Sequence, residues 1–358
     1  GFYDLSIAAS HTNADHVMTG TANGYRSTDG GVTFKIFGGY GGDFPIHPDV
    51  QDMHCIGDET WVSTDGGIYY STDFFTSTAN AETRMSGING ADFWGFDAGW
   101  NEDVLVGGRY HNGNTAWHEN YKQKFYRMGG AENSTGYVNP IQNRKMYFSD
   151  LGGRTISTDI NERILSHPVG KFPNESYYHL EHSEMAWDPR CYNTVWIGSG
   201  NTIWRSTDDG RSYDSVFASA DKGATMEHIE ISRSNPNVIY VTQRSNDLGN
   251  GKIWKTTDAG KTWKELPPPA GTSGGERRVS TITLSGTDEN VLWWGLASGG
   301  PNNKVFKSSD GGQTWENWTT GDIADLGITD IMHQLGTDGG VYAAGSNGRM
   351  YYRNNTMG

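Results

Sequence analysis

The sequence predicts an all-β fold built from repeated four-stranded antiparallel sheets, on the basis of three observations. An octapeptide of the pattern Ser/Thr-x-Asp-x-Gly-x-Thr/Ser-aromatic recurs at intervals of roughly 45 to 50 residues. Short stretches between its copies alternate apolar and polar residues and are separated by Asn-, Gly- and Pro-rich turns, which is the pattern of half-buried strands joined by hairpins. No stretch of useful length has helical periodicity.

Taken in chain order, the octapeptides divide the sequence into units. Strong copies occupy Ser27–Phe34, Ser206–Tyr213, Thr256–Trp263 and Ser308–Trp315. Degenerate copies begin at Ser71 and Ser157, and the double step between these two indicates an eroded unit near Trp117. Each unit reads as three strands before the octapeptide and a fourth after it.

Repeats of this length with four strands each are typical of a β-propeller. First strands are predicted at eight places, near Asp4, Asp52, Asp92, Thr135, Glu184, His228, Thr281 and Asp330. The last unit has no octapeptide and no obvious fourth strand. Eight blades are therefore favoured, with seven plus a shared closing blade as the alternative. We expect residues 1–358 to form a single propeller domain.

The octapeptide is interpreted as a structural clasp. Its Ser and Asp side chains can bond to nearby main-chain groups, its glycine allows a positive φ, and its final aromatic ring can fill the gap between sheets. The residues assigned to this role are Ser27, Asp29, Gly31, Phe34, Ser206, Asp208, Gly210, Tyr213, Thr256, Asp258, Gly260, Trp263, Ser308, Asp310, Gly312 and Trp315.

These peptides resemble the Asp-box, or bacterial neuraminidase repeat, which also occurs in sialidases, sortilin-type receptors, xyloglucan-cleaving propellers and photosystem assembly factors. The chain is most similar to sortilin-like secreted or cell-surface bacterial repeat proteins. His47 and Asp49 match a His-x-Asp-x-His segment of those proteins, with Gln51 in place of the second His. Two glycine-rich motifs are kept in part, at Gly107, Gly108, Asn112, Gly113, Gly129 and Gly130, while their acids are replaced.

Composition excludes some classes of function. With 28 Lys+Arg against 42 Asp+Glu, the formal charge is −14, which argues against nucleic acid as a partner. No apolar run is long enough to cross a membrane. Cys55 and Cys191 are too few for a disulfide framework or a cysteine zinc site, and we expect two separate buried thiols. The start at Gly1 is interpreted as that of a mature or trimmed piece of a larger extracellular protein, secreted or displayed on the cell surface.

The starts of the first strands are expected to converge at one mouth of the propeller channel. The ligand-binding candidates there are Asp52, His54, Asp92, His111, Glu184, His228, Asp330 and His333. Such a collar can bind a cation or protonate a glycosidic oxygen, or simply line a water-filled channel. A divalent cation such as Ca²⁺ is the one cofactor considered, and His47, Asp49, Asp52 and His54 are its candidate ligands.

The expected function is a binding or scaffold module for a glycan or protein, acting with other domains of the same polypeptide, rather than an enzyme. Five tryptophans lie outside the octapeptides, and exposed rings among them can stack on sugars: Trp94, Trp100, Trp117, Trp293 and Trp294. The alternative is a glycoside hydrolase, which needs two carboxylates about 5 to 9.5 Å apart. Its candidate acids are Asp52, Asp92, Glu184 and Asp330. A sialidase is disfavoured, because the Phe/Tyr-Arg-Ile-Pro motif of that family is missing.

Overall fold

The computed structural model describes residues 4–88, 93–109, 112–130, 136–148, 151–169, 185–245 and 251–357. In these ranges the chain forms 31 β-strands in eight antiparallel sheets, and its helical content is limited to short 3-10 turns. The predicted all-β fold of eight blades is confirmed. The chain separates into two compact units, Gly1–Asp92 with Arg109–Asn112, and Phe93–Gly108 with Gly113–Gly358.

The first compact unit contains two four-stranded sheets. Sheet 1 consists of β1 (Ser6–Ala9), β2 (Val17–Gly20), β3 (Gly24–Ser27) and β4 (Lys35–Gly38). Sheet 2 consists of β5 (Val50–Ile56), β6 (Glu59–Thr64), β7 (Gly67–Ser71) and β8 (Ala81–Thr83), with a 3-10 turn at Thr78–Asn80.

The next three sheets follow the same order of strands. Sheet 3 consists of β9 (Phe93–Ala98), β10 (Val104–Arg109), β11 (Gly113–His118) and β12 (Tyr126–Gly129), with a 3-10 turn at Glu119–Tyr121. Sheet 4 consists of β13 (Gly136–Val138), β14 (Lys145–Phe148), β15 (Gly152–Thr155) and β16 (Leu165–His167). Sheet 5 consists of β17 (Ala186–Trp187), β18 (Val195–Ser199), β19 (Thr202–Ser206) and β20 (Asp214–Ala218).

The last three sheets end with one that is a strand short within the described residues. Sheet 6 consists of β21 (Ala224–Ile231), β22 (Ile239–Ser245), β23 (Lys252–Thr256) and β24 (Lys264–Glu265). Sheet 7 consists of β25 (Ser280–Leu284), β26 (Leu292–Leu296), β27 (Val305–Ser308) and β28 (Glu316–Asn317), followed by a 3-10 turn at Gly321–Ile323. Sheet 8 consists of β29 (Ile328–His333), β30 (Val341–Gly345) and β31 (Met350–Arg353).

The core lies between neighbouring sheets, and large side chains from one sheet fill the space against the next. In the first unit Phe37 of β4 stacks on Phe75, with ring centroids 5.0 Å apart. In the second unit Tyr240 and Trp294 belong to one cluster, and Trp293 with Ile328 to the next. Trp293 and Trp294 are therefore packing residues of two different clusters, because consecutive residues of one strand face opposite sides of the sheet.

Each strong octapeptide is closed by hydrogen bonds among its own residues. The Ser308 hydroxyl donates to Asp310 Oδ1 (2.8 Å) and accepts from the Gly312 amide (2.8 Å). Asp310 in turn accepts from the amide and the hydroxyl of Thr314, at 2.9 and 2.6 Å. The octapeptides at Ser27, Ser206 and Thr256 repeat this set of bonds. Three of the four donors in the turn therefore bind one carboxylate, which fixes the hairpin.

The eroded unit near Trp117 keeps part of this arrangement with other side chains. His118 stands at the end of β11, where Ser27 stands in sheet 1, and its Nδ1 accepts from the Asn120 amide at 3.2 Å. Tyr121 is buried just after it, and its hydroxyl donates to the Ser157 carbonyl. An imidazole thus replaces the hydroxyl as the acceptor for the turn.

The cysteines differ from expectation in one respect. Both are free thiols, and Cys55 is buried on β5 beside Met18. Cys191 is exposed, so the expectation that it is buried is wrong. It lies in the turn between β17 and β18, where its amide donates to the Asp188 carbonyl at 3.0 Å. The hydrogen bond of its amide holds Cys191 in the turn, and this leaves the side chain exposed to solvent.

Candidate functional site

The second unit contains an open cleft of about 580 Å³. It is lined by residues from sheets 3 to 6, at the first strands β9, β13, β17 and β21 and the turns that follow them. Clefts of this size are typical of ligand sites. The cleft therefore lies at the ends of four first strands and the turns after them, whereas the sequence predicted that the starts of the first strands converge. None of the described collar candidates lines it.

Five aromatic side chains line this cleft. Trp100 is 71% exposed and Phe96 is 63% exposed, which is unusual for rings of this size. Tyr137, Trp187 and Tyr192 line the same cleft and are half-buried. Apolar rings exposed together in a cleft, rather than scattered singly, mark a binding surface.

The position of Trp100 is set by the turn after β9. Asn143 Oδ1 accepts from the amides of Asn101 and Glu102, which closes that turn against sheet 4. Gly99 is required there, because a Cβ at this position would lie 2.5 Å from the Glu102 carbonyl oxygen. The guanidinium of Arg233 lies over the Trp100 ring, 5.7 Å from its centroid. A cation at this distance favours one orientation of the ring.

Two carboxyl groups line the same cleft. Asp97 on β9 accepts from the Ala98 amide through Oδ1 and from the Val138 amide through Oδ2, both at 2.8 Å. Burial raises the pKa of the Asp97 carboxyl, while these two amide hydrogen bonds oppose the rise. Because Val138 belongs to β13, Asp97 joins the first strands of two neighbouring sheets. Glu230 on β21 is the second acid of the cleft.

The predicted collar residues of the second unit serve mainly to join strands or to pack. Asp330 accepts from the Ile331 amide (2.8 Å) and from the Thr281 hydroxyl (3.2 Å), which links β29 to β25. His333 is buried against Trp293, with ring centroids 5.3 Å apart, and burial lowers its pKa. His228 is half-buried on β21. Asp92, His111 and Glu184 lie outside the described residues.

The collar residues of the first unit are exposed on β5. Asp52 and His54 alternate with the buried Met53 and Cys55, and Asp52 Oδ1 accepts from the Met53 amide at 2.8 Å. Asp52 therefore bonds to the amide of the next residue, as Asp97 and Asp330 do. This recurring bond explains why an Asp stands in equivalent first strands.

The candidate metal ligands do not assemble. Among the described residues, no group of three or more His, Cys, Asp or Glu side chains is placed to hold a metal ion, and this includes His47, Asp49, Asp52 and His54. His47 Nδ1 lies 3.0 Å from the carbonyl of Pro48, and the His47 amide donates to the Tyr69 hydroxyl. His47 is thus held by its own loop rather than directed toward β5.

The structure also contains a buried acid that the sequence did not single out. Glu227 on β21 lies 3.3 Å from Arg244 of β22, and burial raises its pKa to about 7 although Arg244 opposes the rise. The register of β21 against β22 shifts between Met226 and Ile229, so Glu227 lies at a β-bulge. A bulge turns a residue out of the regular alternation, which is why a two-residue period does not reveal this site.

No helix among the described residues is both long and apolar enough to span a membrane.

Comparison with known proteins supports the likeness to sortilin. The family model described as "Sortilin, neurotensin receptor 3" (Sortilin-Vps10) matches residues 201–351, and the sortilin-like character predicted from the sequence is confirmed over this segment.

Xyloglucanase Xgh74A of Acetivibrio thermocellus is 26% identical over 174 residues, which cover 39% of this chain. The match spans only 20% of the length of that enzyme.

Two solved structures resemble the chain in fold. The extracellular domain of a one component system from B. thetaiotaomicron matches with a TM-score of 0.51 and 10% identity, covering 82% of this chain and 37% of that chain. The Cps50 (Swd1) β-propeller domain of Myceliophteria thermophila matches with a TM-score of 0.50 and 10% identity, covering 84% and 94%. At this identity they support the β-propeller fold alone.

Proposed function

We propose that this β-propeller is an extracellular carbohydrate-binding module, and that a neutral glycan chain binds in the cleft of the second unit. The observation that carries the proposal is the exposure of Phe96 and Trp100 in a cleft of about 580 Å³. The C–H faces of sugar rings are apolar, so they stack on such rings, while Asp97 and Glu230 are within the same lining to accept hydroxyl protons. The similarity to a xyloglucanase suggests a β-glucan as the first ligand to try and an extracellular location.

The test is calorimetric titration of the full chain with xyloglucan oligosaccharides and with a panel of other neutral glycans. Trp100→Ala removes the most exposed ring of the cleft and should weaken binding about tenfold, which corresponds to about 1.4 kcal/mol. Phe125→Ala removes a ring of the same unit that is also exposed but lies outside the cleft, and it should bind as the wild type does. Equal affinity of wild type and Trp100→Ala for every glycan that binds would contradict the proposal.

A glycoside hydrolase is the second candidate, and the two acids of the cleft favour it. Asp97 has a raised pKa, as a general acid needs, and Glu230 is the second carboxyl group that lines the cleft. Release of reducing ends should be measured on the titrated samples. Turnover that is lost in Glu230→Gln while binding is kept would establish the enzyme; binding without turnover in the wild type would support the module.

A further inference from the structure

The first unit contains a second concave site that is separate from the glycan cleft. It is a groove of about 510 Å³ between the loop after β4 and the outer strand β8. Phe44, Ile46 and Phe75 are among its lining residues, and all three are buried. Asp43 and Glu82 are the charged residues among those that line it.

The octapeptide of sheet 2 lacks the aromatic residue that ends each strong octapeptide. In sheets 6 and 7 the final aromatic ring packs on the preceding sheet: Trp263 on Phe217 at 5.5 Å, and Trp315 by donating to the Pro267 carbonyl at 2.8 Å. Thr78 occupies this position in sheet 2, and it lines the groove. No ring is present at Thr78, so this side of the groove is open to a ligand.

The same octapeptide carries backbone strain next to the groove. Phe74 and Phe75 stand where strong copies have one or two glycines, and their φ angles are +59° and +53°. A left-handed residue other than glycine costs about 1–2 kcal/mol. Strained positions of this kind are often found at binding sites. Here the strain places the Phe75 ring on the groove floor, against Phe37 and Phe44.

An outer strand edge runs along one side of the groove. The Arg84 amide donates to the Ile68 carbonyl and the Thr72 amide donates to the Asn80 carbonyl. Because hydrogen-bonded pairs alternate along an antiparallel ladder, the main-chain groups of Thr83 and the carbonyl of Ala81 point away from β7. An extended peptide laid along β8 can pair with these groups.

We propose that this groove binds an extended peptide segment of a partner protein. The segment adds a strand to β8, inserts one aromatic or large aliphatic side chain beside Thr78, and directs a Lys or Arg toward Asp43 and Glu82. Charge favours this partner, since the acids of the groove and the net charge of −14 both attract a basic segment. Arg84 pairs with Glu82, but both are exposed, and an exposed pair is weak enough to exchange.

The experiment uses labelled, capped pentapeptides of the form Lys-Val-Trp-Val-Lys, with Phe or Leu as further central residues, and fluorescence anisotropy with the full chain. Thr78→Trp restores the ring found in the strong octapeptides, so it should fold normally and weaken peptide binding at least about tenfold. Ala79→Trp adds the same ring one residue further on, outside the groove lining, and should leave binding unchanged.

Two further arms test the strand pairing and the charge. A peptide N-methylated at alternate residues should lose binding, and replacing its lysines with glutamates should weaken it severalfold. Trp100→Ala should have no effect, which separates this site from the glycan cleft. Unchanged binding to Thr78→Trp, or no saturable binding of any of the three peptides up to millimolar concentration, would overturn the proposal.

Discussion

The octapeptide of sheet 2 and the four strong octapeptides have the same main-chain bonds but different side chains. In the strong copy at Ser308 the hydroxyl accepts from the Gly312 amide at 2.8 Å, and in sheet 2 Ser71 accepts from the Phe75 amide at 2.9 Å. Ser71 also donates to Asp73 at 2.8 Å. The Ser and Asp therefore define the turn, and glycine only lowers the conformational strain of the positive φ. Where large rings are buried, as at Phe75, their burial offsets the strain of a positive φ.

The largest expected effect concerns the carboxylates that the strong copies share. Hydrogen bonds from the hydroxyl and amide of the seventh residue lower the pKa of Asp29, Asp208, Asp258 and Asp310 to about 2. An unfolded Asp titrates near pH 3.9. The unfolded chain therefore binds more protons between these values, so the contribution of these groups to stability is complete above about pH 4 and is lost as the pH falls toward 2.

Urea unfolding at a series of pH values from 6 down to 2 measures this loss of stability in acid. Asp310→Asn should be less stable at neutral pH and should lose less stability on acidification than the wild type. If both proteins lost the same free energy of unfolding between pH 6 and pH 2, Asp310 would not contribute to this pH dependence.

The next effect separates strain from burial at Phe75. Phe75→Ala should destabilise the chain by about 3–5 kcal/mol, because the ring is fully buried. The Phe75→Gly variant should be more stable than the Phe75→Ala variant by about 1 kcal/mol, because glycine tolerates the φ of +53°. Phe37 is the matched control, since it is equally buried on a strand and its glycine variant should be the less stable one. Thermal and urea denaturation of the four variants decide the point.

A smaller effect is expected from the hydroxyl that begins a strong copy. Ser206→Ala leaves the buried amide of Gly210 without its 2.8 Å acceptor, which should cost about 1–3 kcal/mol. Thr207→Ala changes the exposed neighbour and should stay within about 0.5 kcal/mol of the wild type. Equal stabilities of the two variants in urea would show that the clasp bond adds nothing.

The smallest effect concerns the fourth position of two copies, where a residue other than glycine has a positive φ. Ala259→Gly should stabilise the chain by up to about 1 kcal/mol, since it relieves a φ of +56°. Asp209→Gly should destabilise it although its φ is +66°, because Asp209 accepts from the Tyr147 hydroxyl at 2.6 Å and pairs with Lys145. Calorimetry should show a higher melting temperature for Ala259→Gly and a lower one for Asp209→Gly than for the wild type.

The fold could be predicted because its signal is repeated. Spacing of the octapeptides placed all eight first strands, including that of sheet 3, where His118 replaces the serine and no copy is recognisable. The repeat spacing is defined by several copies of the octapeptide, so the position of a unit can be predicted even where its own copy is lost.

The candidate site could be predicted only in outline. The sequence predicted a site on the first strands, at their starts, and named Trp100 among the rings that can stack on sugars, but Phe96, Asp97 and Glu230 were not singled out. Their role depends on which side chains of different sheets face one cleft, and that is decided by turns such as the one that Gly99 and Asn143 fix. Asp52 and Asp330 resemble ligands in sequence, yet each binds the amide of the residue that follows it.

The hydrogen bonds of the Ser and Asp side chains lie within the eight residues of each strong octapeptide, so a substitution at either residue leaves the same bonds of the other octapeptides intact. Substitutions in two such turns of distant sheets should therefore act independently, with free energies that simply add. An ancestral gene made of duplicated units would have been free to alter a single copy while the remainder kept the molecule folded, and Phe74–Phe75 is the kind of innovation that such redundancy permits.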